Sequence, residues 1–353
     1  MFNWLISFQL TNKQHVEITY INAIMSFMFN MKKVIKKMLG VFFKSLPLSI
    51  RCKFIDGLTI FVFHEVSDNP SEFAKQHGLS ISLDAFTQEI KWIESNFQII
   101  HPSDLLSDTN IVGNTAIISF DDGFLGSFEN GLAILEKMSI PSILFLNMRA
   151  ILEKKPLLSA TACYLDKYVA DFSQFSKEKD ISRPFHLTLT PSHLGLFEST
   201  YGAIDNEKIL AYQGEFADLS VINKWDNNDL VVFGNHLFDH WNAVALSSDE
   251  LKEQYSKNEI ALSQFNNSIN FFAFTNGQPV TCYTDRDITL LKKLGAKKIF
   301  TASGGVNREP ANFLLRRMSL YEIDKDEFYI WFKLGKYKII EAFNKYRRLY
   351  ENK

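Results

Sequence analysis

Cysteine is scarce in this chain of 353 residues: Cys52, Cys163 and Cys282 are its three, far apart and odd in number. They make neither a disulfide framework nor a CxxC metal site, and a reducing compartment suits them best. Net charge is nearly absent too, at −2, so no basic field draws the chain to nucleic acid. No apolar run reaches the roughly 20 residues needed to span a bilayer. The opening Met1-Phe2-Asn3-Trp4-Leu5-Ile6 lacks the basic start and small-residue cleavage site of a secretory signal. The expectation is a cytoplasmic protein. Apolar bulk is plentiful: hydrophobic residues at 46% against 22% charged allow one large α/β domain with appendages.

From residue 57 onward, short apolar runs alternate with amphipathic ones. Strands are expected over 58–63, 116–120, 142–146, 230–233, 271–274, 298–301 and 314–321. Helices are expected from an N-cap at Ser82 through Phe97, over 128–138, 247–266 and 284–294, the last stopped by Gly295. Residues 151–226 break the rhythm and read as a helical insertion over one end of the domain. Ahead of the domain (51–325) lies an extension, 1–50. Within it, Lys32, Lys33, Lys36, Lys37 and Lys44 recur against Val34, Ile35, Met38, Leu39, Phe42 and Phe43. This basic amphipathic helix has two readings, lying on an anionic membrane or docked on the domain with its lysines in water. A helix over 326–353 closes the chain. Strand–helix alternation argues for a parallel α/β fold, a barrel or a doubly wound sheet, with chemistry at the carboxyl ends of strands.

Two features stand at such ends. Phe120-Asp121-Asp122-Gly123 closes a strand, and His236 and His240 stand four apart after another. Two imidazoles and one carboxylate leave open positions on a divalent cation, as catalytic metal sites do. On a helical turn, His236 and His240 would share a face. Aspartates leaving a strand are expected to diverge, one as ligand and one as base. Leu237 stands where zinc proteases carry a glutamate, so the base must come from elsewhere, and Asp121 or Asp122 is available. Zinc is the first expectation for the ion, and nickel, cobalt and iron accept the same donors. The blander readings are a tight turn for Asp-Asp-Gly and packing for the histidines. His15, His77, His101, His186 and His193 lack partners at ligand spacing and read as surface or packing residues.

These motifs resemble the polysaccharide deacetylases of carbohydrate esterase family 4. Phe61-Val62-Phe63-His64-Glu65-Val66 is similar to the family's amino-terminal strand ending in "YH-x-V". Phe271 to Gly277 stands in the place of "FAYPYG", Gly295 to Thr301 in that of "GFKLAFT", and Leu315-Arg316-Arg317-Met318 in that of "LPRI". The resemblance covers about residues 57–320 in the family's order. It implies a distorted (β/α) barrel of about seven parallel strands. It also implies Asp121 as general base, with Asp122, His236 and His240 as ligands of the cation. The backbone N–H of Asn276, beside Gly277, would stabilise the oxyanion. Members commonly take their general acid from a carboxyl-terminal histidine, but none follows His240. A circularly permuted subgroup carries it on the amino-terminal strand, where His64 fits.

The departures from the family concern the acyl pocket. Ala273 replaces the arginine that orients the base, and Arg317 is the candidate substitute. Thr275 and Asn276 replace Pro-Tyr, and Leu237 replaces Ser or Thr. Trp241 is read either as a sugar platform or as a core aromatic. The expected reaction is metal-dependent N-deacetylation of an acetylated glycan or lipid-linked sugar, with peripheral contact at the inner face of a membrane. Two other classes stay open: an inactive glycan-binding or scaffold protein on this fold, and a hydrolase of another C–N bond.

Overall fold

The computed structural model describes residues 56–107 and 111–320, with residues 34, 38, 41, 42, 45–47, 50 and 334 besides. The expected helix over 326–353, most of that over 31–44, His15 and Cys52 lie outside the described residues. Val34, Met38, Val41 and Phe42 are described, helical and exposed. Among the described residues no helix is long and apolar enough to cross a membrane.

Seven parallel strands close into a barrel. They are β1 (Gly57–Phe63), β2 (Asn114–Asp122), β3 (Ser142–Leu146), β4 (Val231–Asn235), β5 (Ser268–Ala273), β6 (Lys298–Thr301) and β7 (Leu314–Met318). The strands neighbour one another in sequence order, and β7 returns to β1. Closure rests on β1 and β2, which pair in register from Gly57↔Asn114 to Phe63↔Phe120. Runs such as Ile60-Phe61-Val62-Phe63 form strands because branched and aromatic side chains are buried on both faces of a parallel barrel.

The pleat sorts these residues by parity. Leu58, Ile60, Ile117, Ile143, Phe145, Val232, Phe271, Phe300 and Leu315 form one cluster inside the barrel. The alternate residues, among them Phe61, Phe63, Ile118, Phe120, Leu144 and Phe233, pack outward against the helix Leu83–Asn96 and its neighbours. Ser82 caps that helix, its hydroxyl accepting from Ala85 N, and Phe86, Ile90, Ile93 and Phe97 are buried along it. Between β3 and β4 run seven helices, from Met148–Glu153 to Leu219–Asn223, in place of a single crossover. They hold an aromatic cluster of their own around Phe172, Phe175, Phe185 and Phe197.

Two irregularities shape the site end. The β4–β5 register shifts between Phe233 and Asn235, a bulge one residue before His236. Gly234 faces Phe145, and an added Cβ would stand 2.7 Å from the phenyl carbons. The Arg317 guanidinium lies 5.1 Å from the centre of that Phe145 ring. A methyl group at 234 therefore pushes on the support of an arginine three strands further round. We expect Gly234→Ala to cost about 1–3 kcal/mol of stability through overpacking, read as a lower urea midpoint with unchanged slope.

Candidate active site

Asp121 ends the inward-facing row of β2, and Arg317 ends that of β7. The guanidinium grips the carboxylate with both prongs, Nη1–Oδ1 at 2.6 Å and Nη2–Oδ2 at 2.8 Å, with both residues buried. Burial by itself pushes the Asp121 carboxyl up; Arg317, His236 and His64 outweigh it and hold the carboxyl below its usual range.

Asp122 would face outward by strand parity, but its φ of 72° lies in the left-handed region and turns it back. The two aspartates do not diverge as expected. Asp121 Oδ2 and Asp122 Oδ1 lie 3.8 and 3.4 Å from the same atom, His236 Nε2. Nor do the histidines lie on a helical turn. They flank a loop after β4 in which Leu237 has a φ of 63°, and this reversal brings His240 Nε2 to 3.3 Å from Asp122 Oδ1.

Asp122, His236 and His240 are buried, and each offers a ligand atom within 4.8 Å of the others. His236 Nδ1 is 2.8 Å from the Ala273 carbonyl, which fixes the N–H there and leaves the Nε2 lone pair free. Among the described residues His236 Nε2 and Asp122 Oδ1 are buried without a hydrogen bond, an arrangement that costs about 1–3 kcal/mol per group unless something supplies the partner. Their 3.4 Å separation also matches roughly the edge of a tetrahedron with bonds of about 2.0–2.1 Å to zinc. The donor set therefore fits a divalent cation. Burial would raise Asp122, but His240, His236 and His64 hold it well below the ordinary carboxylate value. Burial would lower His240, and Asp122 outweighs that and raises it.

His64 follows β1 at the same rim. Burial is the largest influence and lowers its pKa; Asp122 and Asp121 pull it upward without restoring it. Its carbonyl accepts from Ser127 Oγ in the π-helical turn Ser127–Leu132 that follows the aspartates. Asn130 Nδ2 on that turn also donates to Val66 O at 2.8 Å.

The family profile for polysaccharide deacetylases matches residues 110–299, more than half of the chain. The chain belongs to the polysaccharide deacetylase family. Solved structures agree on the fold. IcaB from Ammonifex degensii is similar at 16% identity and TM-score 0.52, over 79% of this chain and 97% of that one. The Streptococcus pyogenes deacetylase PplD, solved with acetate, is similar at 13% identity and TM-score 0.50, over 75% and 92% of the two chains. A de-N-acetylase from Aggregatibacter actinomycetemcomitans is similar at 13% and 0.50, over 78% and 99%. No curated protein matches in sequence.

As a polysaccharide deacetylase the chain is a hydrolytic N-deacetylase of acetylated glycans. Its other predicted residues lie nearby. Asn276 and Gly277 follow β5, where Gly277 is pressed so closely on Ala302 that a Cβ would stand 2.1 Å from its nitrogen. Trp241 is only 5% exposed and packs with Phe274, Cys282 and Tyr283; its carbonyl accepts from Thr275 Oγ1 at 2.5 Å. Trp241 also lines a cavity with Leu158, Leu194 and Phe238.

Several residues escaped the motif reading. Asn147, Asn235 and Asn258, all fully buried, brace the histidine loop. Asn147 Nδ2 donates to the carbonyls of His236 and Leu237, and Asn235 Oδ1 accepts from Leu237 N at 2.9 Å. Asn258 Nδ2 joins Leu146 O and Asn235 Oδ1 at 2.8 and 2.9 Å. An asparagine after each of two strands was the available signal. His186, expected as a surface or packing residue, is half-buried in the insertion. Burial, with His240 nearby, pushes it down to about 4. His101 and His193 accept or donate in local helix caps.

Removing the arginine tests the ion pair. Arg317→Gln leaves Asp121 buried without its counter-charge, and we expect a loss of about 3–5 kcal/mol at pH 7. With the arginine present, the depressed pKa contributes stability above the ordinary value near 3.8 that is lost as pH falls through the lower folded value. With burial less opposed, the folded pKa rises, and that contribution is then greatest at low pH. The deficit of Arg317→Gln therefore shrinks between pH 7 and pH 4, as urea denaturation in chelator would measure.

Proposed function

We propose that this protein uses a divalent cation to remove the N-acetyl group from an amino sugar in a polysaccharide or glycolipid precursor. The observation that carries the reading is the convergence of the buried Asp122, His236 and His240 donors beside an arginine-held carboxylate. Zinc is the first choice, and nickel, cobalt or iron fit the same donors. Bound there, the cation would acidify a water and polarise the acyl oxygen.

The chain's own groups divide the proton work. Asp121 stays ionised because Arg317 holds it so, and it takes the proton from the attacking water. His64, half-buried with its pKa lowered by desolvation, takes up a proton from solvent as negative charge develops on the acyl oxygen. It passes that proton to the amine as the C–N bond breaks, and Asp121 returns the water's proton to solvent, leaving a free amino sugar and acetic acid that ionises to acetate. Both pKa values are lowered, that of Asp121 by Arg317 against burial and that of His64 by burial, so the carboxylate is the group ready to accept the water's proton. The backbone N–H of Asn276 and its neighbour Gly277 would face the acyl oxygen.

A glycan-binding protein without turnover, the second reading, draws on Ala273, Thr275, Asn276 and Leu237 as departures from the family. Ala273 and Leu237 serve the site through backbone atoms, Ala273 O with His236 and Leu237 N with Asn235, so the side chains of those two do not decide it. Expected outcomes separate the readings. Asp121→Asn keeps the metal and loses acetate release by about 10²–10⁴-fold. Asp122→Asn and His240→Ala lose the metal itself, by elemental analysis. A metal-loaded wild type that binds acetylated glycans without releasing acetate would favour the second reading.

We also propose peripheral attachment at the cytoplasmic face of a membrane, where lipid-linked precursors would be met. Support comes from the exposure of Val34, Met38, Val41 and Phe42 at helical spacing within a lysine-rich segment. Sedimentation with phosphatidylserine vesicles should be strong for the wild type and lost in Lys36→Glu/Lys37→Glu. Equal sedimentation of the two would refute attachment by this segment.

A further inference from the structure

We infer that the side-chain amide of Asn276 donates a hydrogen bond to the acylated sugar, a role separate from that of its backbone N–H. The inference rests on the deacetylase reading above and names a residue that recognises the substrate.

The Asn276 Nδ2 atom is buried and has no acceptor among the described residues. An amide nitrogen carries two N–H donors, and proteins rarely bury one unused. Elsewhere around this site the buried amides are used. Nδ2 of Asn147, of Asn235 and of Asn258 each makes two hydrogen bonds. Asn276 is the exception in that group.

Its position is held from both sides. Before it, Thr275 Oγ1 donates to the carbonyl of Trp241, the residue after His240, at 2.5 Å. Further back, the Ala273 carbonyl holds His236 Nδ1 at 2.8 Å, and Phe274 N donates to Phe300 O at 3.1 Å. After it, Gly277 O accepts from Ala302 N at 2.9 Å, and Gln278 Nε2 donates to Ala302 O at 2.7 Å. The residues on either side of Asn276 are thus tied to the histidine loop and to the end of β6. The backbone that carries the amide is therefore held in place.

A buried, unpartnered donor three residues beyond the carbonyl that orients His236 suits an oxygen acceptor brought by the substrate. The acylated amino sugar offers its acyl oxygen and its ring hydroxyls. A tyrosine, which the family pattern carries here, could not offer the same planar amide. Asn276 therefore gives this chain a donor of its own, and its acyl-pocket wall differs in chemistry as well as in size.

The test uses the metal-loaded full chain with an N-acetylglucosamine pentamer as probe, acetate release and calorimetric binding as readouts. Asn276→Ala and Asn276→Asp both keep the backbone N–H and remove the side-chain donor. We expect kcat/KM to fall roughly tenfold or more in Asn276→Ala and further in Asn276→Asp, whose carboxylate repels the same oxygen. A fall in kcat alone points to the acyl oxygen as acceptor, and a rise in KM with weaker binding points to a ring hydroxyl; either supports the inference. Metal content and melting temperature should match the wild type. If the alanine variant folds poorly, the nearly isosteric aspartate carries the test. A wild type that binds and deacetylates the pentamer, with both variants within twofold of it, overturns the role of the amide alone. A wild type that neither binds nor deacetylates this or any other acetylated glycan overturns the deacetylase reading, and this inference with it.

Discussion

The pairing of β1 with β2 is the constraint on which the site depends. Seven residues in parallel register, from Gly57↔Asn114 to Phe63↔Phe120, close the barrel and set His64 level with Asp121 at one rim. Because β7 pairs with the other side of β1, Arg317 reaches that rim as well. Strand pleating then decides which side chains enter the interior. Asp121 and Arg317 fall on the inward row; Phe145 fills the space beneath the arginine, and Gly234 makes room for Phe145. Shifting any one strand by a residue would turn its functional side chain out into the helices.

Within that frame, desolvation and local charge work against each other. Burial raises the carboxylates and lowers the imidazoles, yet the outcome differs from group to group. Arg317 and the histidines keep both aspartates ionised, while Asp122 draws His240 upward. His64, further from compensation, stays below its ordinary value. A site of one dominant solvent penalty thus yields groups ready for opposite proton transfers. His236 Nε2 and Asp122 Oδ1, without a hydrogen bond among the described residues, are the part of this balance that a cation would complete.

Much of this was legible along the chain. Strand runs such as 142–146 and 298–301 coincide with β3 and β6 because buried parallel strands must be continuously apolar. The cap at Ser82 was readable because capping is a contact over three residues. The insertion was visible as a loss of period, but its helices and their aromatic cluster were not, since the signal there is tertiary packing. The histidine loop was misread as a helical turn because spacing by four is common to helices and to tight reversals. The Leu237 conformation and the asparagine braces that decide between them join residues about 90 positions apart, as Asn147 and His236 show.

Residue types and order determined by themselves that an acidic strand end and a histidine pair would meet at one end of a parallel α/β fold. That followed from local periodicity and from the rule that strand ends carry chemistry. Only the tertiary structure decided that both aspartates face one imidazole, that Arg317 clasps Asp121, and that the Asn276 amide nitrogen has no acceptor among the described residues. Those are matters of backbone sign at Asp122, of inward parity on three separate strands, and of exclusion from water. None of them is written in the spacing of residues, because each arises where distant segments crowd together and solvent is removed.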